Sequence, residues 1–245
     1  LIDDSKGVTV CSVNTLQDET SSANGGSVAA ATDVGTKIGE LAAGMNIAEA
    51  ALDRGPYRYH GRIAALADAA RAAGLSVHLD GARFFNAVEA LGCTETDLAG
   101  IFDSVSICLS KGLGAPVGSV LVGPRDLIDR ARRWRKMLGG GTRQAGVLAA
   151  AGLHALKYNI ERLAEDRMRA ERLGQALSAY GEVSQATNMI FFTPHGGVTP
   201  DLQRHMATKG VRLSGATGTT RLVLHKDVTD EGLQAAIAGF ETYSG

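Results

Sequence analysis

The chain has 245 residues, 44% of them hydrophobic, with 25 Lys and Arg against 26 Asp and Glu. It is long enough for one or two domains with a substantial core, and its balanced charge gives no electrostatic case for nucleic acid or an anionic membrane as partner. No segment approaches the roughly 20 apolar residues of a bilayer span. The three cysteines, Cys11, Cys93 and Cys108, lack the paired spacing of a disulfide framework or zinc site, so no metal and a reducing, cytoplasmic setting are expected.

The start, Leu-Ile-Asp-Asp-Ser-Lys, has neither an initiator Met nor the regions of a signal peptide, which suggests a fragment or a processed chain. In chain order, Val8 to Val13 has the branched, apolar look of a strand, and the Ser, Thr, Asn and Gly of Asn14 to Ser27 read as a loop. Thr36 to Leu52 is Ala-rich with apolar residues near helical spacing and predicts a helix, interrupted by Gly39 and Gly44 and stopped by Gly55-Pro56. Arg62 to Ala73 is an amphipathic helix closed by Gly74, and it runs into the strand Leu75 to Leu79. Phe84 to Leu91 reads as a short helix, and the strands Ser104 to Leu109 and Ser119 to Val122 follow. From Arg125 to about Tyr180 the pattern is helical, broken at Gly139-Gly-Gly141. After that, short apolar runs at Met189 to Phe192, Val211 to Leu213 and Arg221 to Leu224 precede a helix from Asp230 to Tyr243. Strands alternating with helices predict an α/β fold with a parallel-type sheet over residues 1–150, and the remainder, 151–245, a small α+β domain.

Two strand ends carry the chemistry. Lys111 follows the apolar run ending at Ser110 and enters the turn Gly-Leu-Gly-Ala-Pro-Val-Gly118, a poor place for a merely solvated amine. The other strand ends in Asp80-Gly-Ala-Arg83. In parallel sheets the ligand crevice lies outside the carboxyl ends of the strands, where both fall. A lysine for a Schiff base, an aspartate for a ring nitrogen and a nearby arginine are the groups a pyridoxal phosphate (PLP) site requires. Read alone, Lys111 also fits a surface residue capping a turn, Asp80 a helix N-cap and Arg83 a surface arginine.

These motifs together narrow the choice. His78-Leu-Asp-Gly-Ala-Arg83, Phe85-Asn-Ala87, Ser106-Ile-Cys-Leu-Ser-Lys-Gly-Leu-Gly-Ala-Pro-Val-Gly118, Arg135-Lys-Met-Leu-Gly-Gly-Gly-Thr-Arg-Gln-Ala-Gly146 and Arg221-Leu-Val-Leu-His225 resemble the L-threonine aldolase group of fold-type I PLP enzymes. The resemblance runs from about Ala64 to the C terminus. It implies retro-aldol cleavage of threonine or allo-threonine to glycine and an aldehyde by a homo-oligomer, a dimer or tetramer. It gives Lys111 the covalent link to PLP, Asp80 the pyridine nitrogen and Arg83 the phenolic oxygen. Arg143 and Lys136 fall near the cofactor phosphate or the substrate, and Arg221 on the substrate carboxylate, a role suited to a planar bidentate donor. Lys136 lies in a basic run that equally reads as a solvated helix face. Asn188 and Ser214 are further polar candidates, and His225 and His78 read as packing groups.

The family's N-terminal third, with its phosphate cradle and ring-stacking side chain, has no counterpart here. The family's strand-end histidine is replaced by Leu16 in Val13-Asn-Thr-Leu16, and Ala29 to Gly61 is an unmatched insertion. Ser21 to Ser27 reads as a loop that alternatively serves as a substitute phosphate cradle. Three readings stand: a PLP-dependent aldolase, another PLP reaction such as β-elimination or racemisation, or a truncated, non-catalytic remnant that binds or assembles only.

Overall fold

The computed structural model describes residues 1–3, 6–15, 26–47, 49–52, 61–213 and 218–243. Leu16, most of the loop before Ser27, and Ser214 lie outside these residues. In chain order the elements are β1 (Ile2–Asp3), β2 (Val8–Thr9), α1 (Val28–Gly44), β3 (Glu49–Leu52), α2 (Arg62–Ala72), β4 (Ser76–Gly81), α3 (Phe84–Leu91), α4 (Glu95–Ala99) and β5 (Ser104–Cys108). They continue with β6 (Ser119–Val122), α5 (Arg125–Met137), α6 (Gly146–Tyr158), α7 (Leu163–Leu177), β7 (Gly181–Ala186), β8 (Met189–Pro194), α8 (Pro200–Thr208), β9 (Thr220–Val223) and α9 (Asp230–Glu241). The chain divides into two compact units that interleave along the sequence. One comprises Leu1–Ala82, Thr96–Ile107 and Val120–Thr142, the other Arg83–Glu95, Cys108–Ser119 and Arg143–Gly245.

The first unit is built on a sheet of order β3-β4-β5-β6. β4 pairs in parallel with β3 and with β5, so that Ala50 faces Val77 and Asp80 faces Ser106. Val77, Leu79 and Val105 are buried, as expected of apolar runs in a parallel sheet. Arg71 and Asp103 brace the sheet: Arg71 donates to the Ile101 carbonyl and to Asp103 Oδ1, while Asp103 Oδ2 accepts the Val77 N–H at 2.8 Å. The Val77 hydrogen bond holds the Asp103 carboxyl below its ordinary range; burial opposes it, and Arg71 adds to the lowering.

The helix expected over Thr36 to Leu52 is instead α1 followed by β3. Ser27 caps α1, its side chain accepting the Ala30 N–H at 3.1 Å, and Asn46 at φ +57° ends the helical path. Of the two glycines that interrupt the pattern, Gly39 is a contact point, as is Gly35 before it, whereas Gly44 meets nothing. A Cβ on Gly35 would stand 2.3 Å from the Leu66 carbonyl oxygen, and one on Gly39 2.3 Å from Ala73 Cβ. α1 and α2 therefore meet at a distance that side chains forbid. The strand expected over Val8 to Val13 contracts to β2, paired antiparallel with β1. On the open side of the sheet, Val120, Leu121 and Val122 of β6 are exposed, and α5 buries none of its residues.

The second unit has an antiparallel sheet of order β7-β8-β9 packed on helices. β8 alternates half-buried and buried residues, the period-2 pattern of a one-sided strand. Ile190 and Phe192 meet Leu173, Leu177, Leu202, Met206, Leu233 and Phe240 in the core. Phe192 and Phe240 stack edge to face with centroids 5.3 Å apart. Thr199 and Thr229 cap α8 and α9. Val211 to Leu213 forms no strand, whereas β7, α4 and α8 add elements that the apolar runs did not announce.

Gly35→Leu is expected to destabilise the first unit by at least about 1–3 kcal/mol, because the backbone carbonyl it meets cannot yield; a denaturation midpoint measures it. The Asp103 contribution has a definite sign. A carboxyl held low in the folded state stabilises above its unfolded pKa, and that stability is lost as pH falls below about 4. Asp103→Asn should therefore flatten the loss of stability between about pH 4 and pH 2 while lowering stability at pH 7.

Candidate active site

β5 ends at Cys108, and the turn that follows is fixed at both ends. Leu109 donates its N–H to the Gly118 carbonyl and accepts that of Ala115, and Gly114 donates to the carbonyl of Lys111, each at 2.9 Å. Gly114 at φ +71° and Gly118 at φ +115° supply backbone conformations that other residues rarely adopt. Gly112 is required for a different reason: a Cβ there would stand 2.7 Å from Oδ1 of the buried Asn86. Asn159 closes the arrangement, donating to the Leu113 carbonyl at 2.7 Å. Leu113 and Ala115 are buried, so the turn is anchored by its apolar members while Lys111 remains exposed.

Lys111 lines a cavity of about 490 Å³ in the second unit, together with Arg83, Asn188, His225, Lys226 and Asp227. Arg83 stands at the N-terminal edge of α3. Its Nε is buried and has no hydrogen-bond partner among the described residues. Burial and, next, the charge of Arg221 lower the pKa of this guanidinium, with Cys108 opposing them. A buried cationic donor left without a partner is costly, and an anion in the cavity would satisfy it. The Cys108 thiol, 3.4 Å from Ser110 Oγ, is affected most by burial, which raises its pKa. Hydrogen bonds with Ser110 and the charge of Lys111 outweigh that, so the net shift is downward.

Among the residues singled out from sequence, Arg83 and Lys111 thus share one cavity. Arg221, exposed on β9 opposite Phe191, is near enough to repel Arg83. Asn188 lines the same cavity and is 1% exposed; its Nδ2 donates to the Leu224 carbonyl at 2.6 Å, fixing the β7–β8 hairpin to the chain after β9. Asp80 is exposed at the end of β4, in the first unit, opposite Ser106, which precedes Lys111 by five residues. Arg143 is exposed in the second unit, and Lys136, in the first, donates to the Gly141 carbonyl at 3.1 Å. His78 bonds Ser104 across β4 and β5, whereas His225 lines the cavity. Asn86, Lys226 and Asp227 were not foreseen. Asn86 lies within the quoted Phe-Asn-Ala segment and Lys226 directly after the Arg221 motif, so adjacency to a motif was the available signal.

The beta-eliminating lyase family model matches residues 47–193. A second model, ribosomal L18 of archaea, bacteria, mitochondria and chloroplast, matches residues 1–77. The chain is 47% identical to the low specificity L-threonine aldolase of Escherichia coli (strain K12) over 171 residues, 69% of this chain and 51% of that protein. It is 40% identical to low-specificity L-threonine aldolase 1 of Arabidopsis thaliana over 177 residues, 69% of this chain and 49% of that one. The chain thus spans about half the length of these relatives. Among solved structures, threonine aldolase from Leishmania major superposes with a TM-score of 0.60 at 18% identity, covering 72% of this chain and 54% of that one. That likeness shows the fold, α/β of fold type I. The insertion Ala29 to Gly61, unmatched from sequence alone, falls wholly in the segment matched by the ribosomal model, and from residue 47 also in the lyase match. With its family model spanning well over half of its residues, the chain belongs to the beta-eliminating lyase family.

Proposed function

We propose that this chain catalyses PLP-dependent retro-aldol cleavage of threonine-like β-hydroxy-α-amino acids, yielding glycine and an aldehyde. The observation that carries the reading is the buried, unpartnered Arg83 Nε in the cavity that Lys111 lines. Such a donor fits an anionic cofactor oxygen, and the clamped turn presents an amine beside it. When bound, PLP supplies the sink for the electrons released as the Cα–Cβ bond breaks. Lys111 would hold the cofactor and move a proton at the reacting carbon. Arg83 would hold the phenolic oxygen, Asp80 the ring nitrogen, and Arg143 the phosphate. Arg221 would grip the substrate carboxylate in two-pronged fashion, with Lys136 as a further anion contact, and so help orient the bond that breaks. The 47% identity to a low specificity L-threonine aldolase favours threonine and allo-threonine over other members' chemistry.

The match of residues 1–77 to ribosomal L18 favours a second reading for that segment. In it the chain joins an L18-like piece to the C-terminal half of an aldolase, and the aldolase half retains binding or assembly without turnover. The segment carries six Lys and Arg against nine Asp and Glu, so charge gives it no drive toward nucleic-acid phosphates. A small-molecule amino acid remains the proposed partner, with neither nucleic acid nor membrane. No helix of the described residues is long and apolar enough to cross a bilayer. We place the chain in the cytoplasm as a homo-oligomer, dimer or tetramer. In the first unit Trp134, Met137 and Leu138 are 59%, 62% and 80% exposed, and in the second Val147 is 81% exposed, surfaces that association would cover.

With PLP added, the protein should develop a visible absorbance band and release glycine and acetaldehyde from threonine. Lys111→Ala should lose the band, and turnover should fall by on the order of 10³-fold. Pyruvate and ammonia from serine would instead indicate β-elimination. A folded wild-type protein with neither band nor product would establish the assembly-only reading. Sedimentation is expected to show a dimer or larger; a monodisperse monomer with one cooperative unfolding transition would overturn the oligomer.

A further inference from the structure

Lys226 supplies the cavity with a cation that the scheme above leaves unused. Its stem lies over the Lys111 turn: a Cβ on Gly114 would stand 2.9 Å from Lys226 Cε, 3.2 Å from Cδ and 3.3 Å from Nζ. The missing side chain of Gly114 is therefore what lets the ammonium settle there. Lys226 makes no ion pair or hydrogen bond with the described residues. Asp227, the carboxylate nearest in sequence, lies instead 3.6 Å from His225 Nδ1. Arg83, Lys111 and Lys226 all line the cavity, and Arg221 acts on Arg83 from β9.

A charge inventory shows the surplus. The cofactor's phenolic oxygen is assigned to Arg83, its phosphate to Arg143 and the substrate's α-carboxylate to Arg221. Lys226 remains. It lies just beyond the C-terminal end of β9, the strand that carries Arg221, so it belongs with the substrate's contacts. The methyl group of threonine offers nothing to an ammonium. Resting on the aldolase reading, we propose that Lys226 is a specificity-determining residue that recognises a second carboxylate on the substrate, so that the preferred substrate is a β-hydroxy-α-amino dicarboxylic acid. For β-hydroxyaspartate the step balances without an oxidant or reductant. The β-hydroxyl proton leaves to a base, the Cα–Cβ bond breaks, and Cβ becomes the aldehyde carbon of glyoxylate. The electron pair remains at Cα, which takes up a proton to give glycine.

The test uses the full chain equilibrated with PLP, as wild type, Lys226→Met and Lys226→Arg. The ratio of kcat/KM for β-hydroxyaspartate to that for threonine should fall about tenfold in Lys226→Met and be largely restored in Lys226→Arg, the effect of one charge-assisted hydrogen bond. Calorimetric binding of aspartate against alanine, which need no cleavage, should show the same Lys226-dependent preference. If the wild type cleaves neither substrate yet binds aspartate about tenfold better through Lys226, the specificity stands and the aldolase reading falls. An unchanged ratio in Lys226→Met, or aspartate binding no tighter than alanine, overturns the proposal. Weaker affinity for PLP with no change in ratio also overturns it, placing Lys226 on the phosphate.

Discussion

The close approach of Gly112 to Asn86 governs the candidate site. A buried amide occupies the space where a side chain at residue 112 would stand, and the turn from Leu109 to Gly118 closes on itself through backbone hydrogen bonds. The consequence is a lysine whose backbone is over-determined while its side chain is free. A reactive amine needs that combination, because its position is set by the fold rather than by contacts with the amine itself. The same turn seats Lys226 through Gly114, so the glycines that made the segment legible in sequence each have a separate geometric task.

Electrostatics then explains why the cavity suits an anion. Arg83 is drawn down by burial and by Arg221, and its Nε has no partner among the described residues. Arg83, Lys111 and Lys226 line the cavity with one carboxylate, Asp227, which lies 3.6 Å from His225 Nδ1; arginines elsewhere have carboxylate partners. Arg167 meets Glu89 and Glu171, and Arg162 meets Asp166. Ion pairing is thus general on the helices of the second unit, whereas Arg83 in the cavity has no carboxylate partner among the described residues, which suits a candidate anion site.

The aldolase-like portion was readable because its residues do two things at once. In β4 and β5 apolar runs mark buried parallel strands with polar residues at their ends, and of these Lys111 lines the cavity. Arg83, Lys111 and Arg221 were legible as motif members. Lys226 was not, since a lysine beside a histidine carries no spacing signal until Gly114 is seen beneath it. The N-terminal portion was misread for a physical reason. Gly39 looks like a helix breaker in a single segment, and only the opposing helix shows that it and Gly35 are contact points. β3 was absorbed into the same Ala-rich run because Asn46, in the left-handed region, turns the chain without a Gly or Pro to announce it.

The contact between α1 and α2 also bears on how such a chain can arise. A surface in which one helix's glycines rest on the other's carbonyl and methyl groups tolerates no independent drift, since each helix is shaped only for the other. Recombination that separated them would leave two mismatched halves. A crossover placed beyond α2 keeps the pair intact. The lyase match begins at residue 47, between α1 and α2, and the ribosomal match ends at residue 77, beyond both, so only the ribosomal match contains the whole pair.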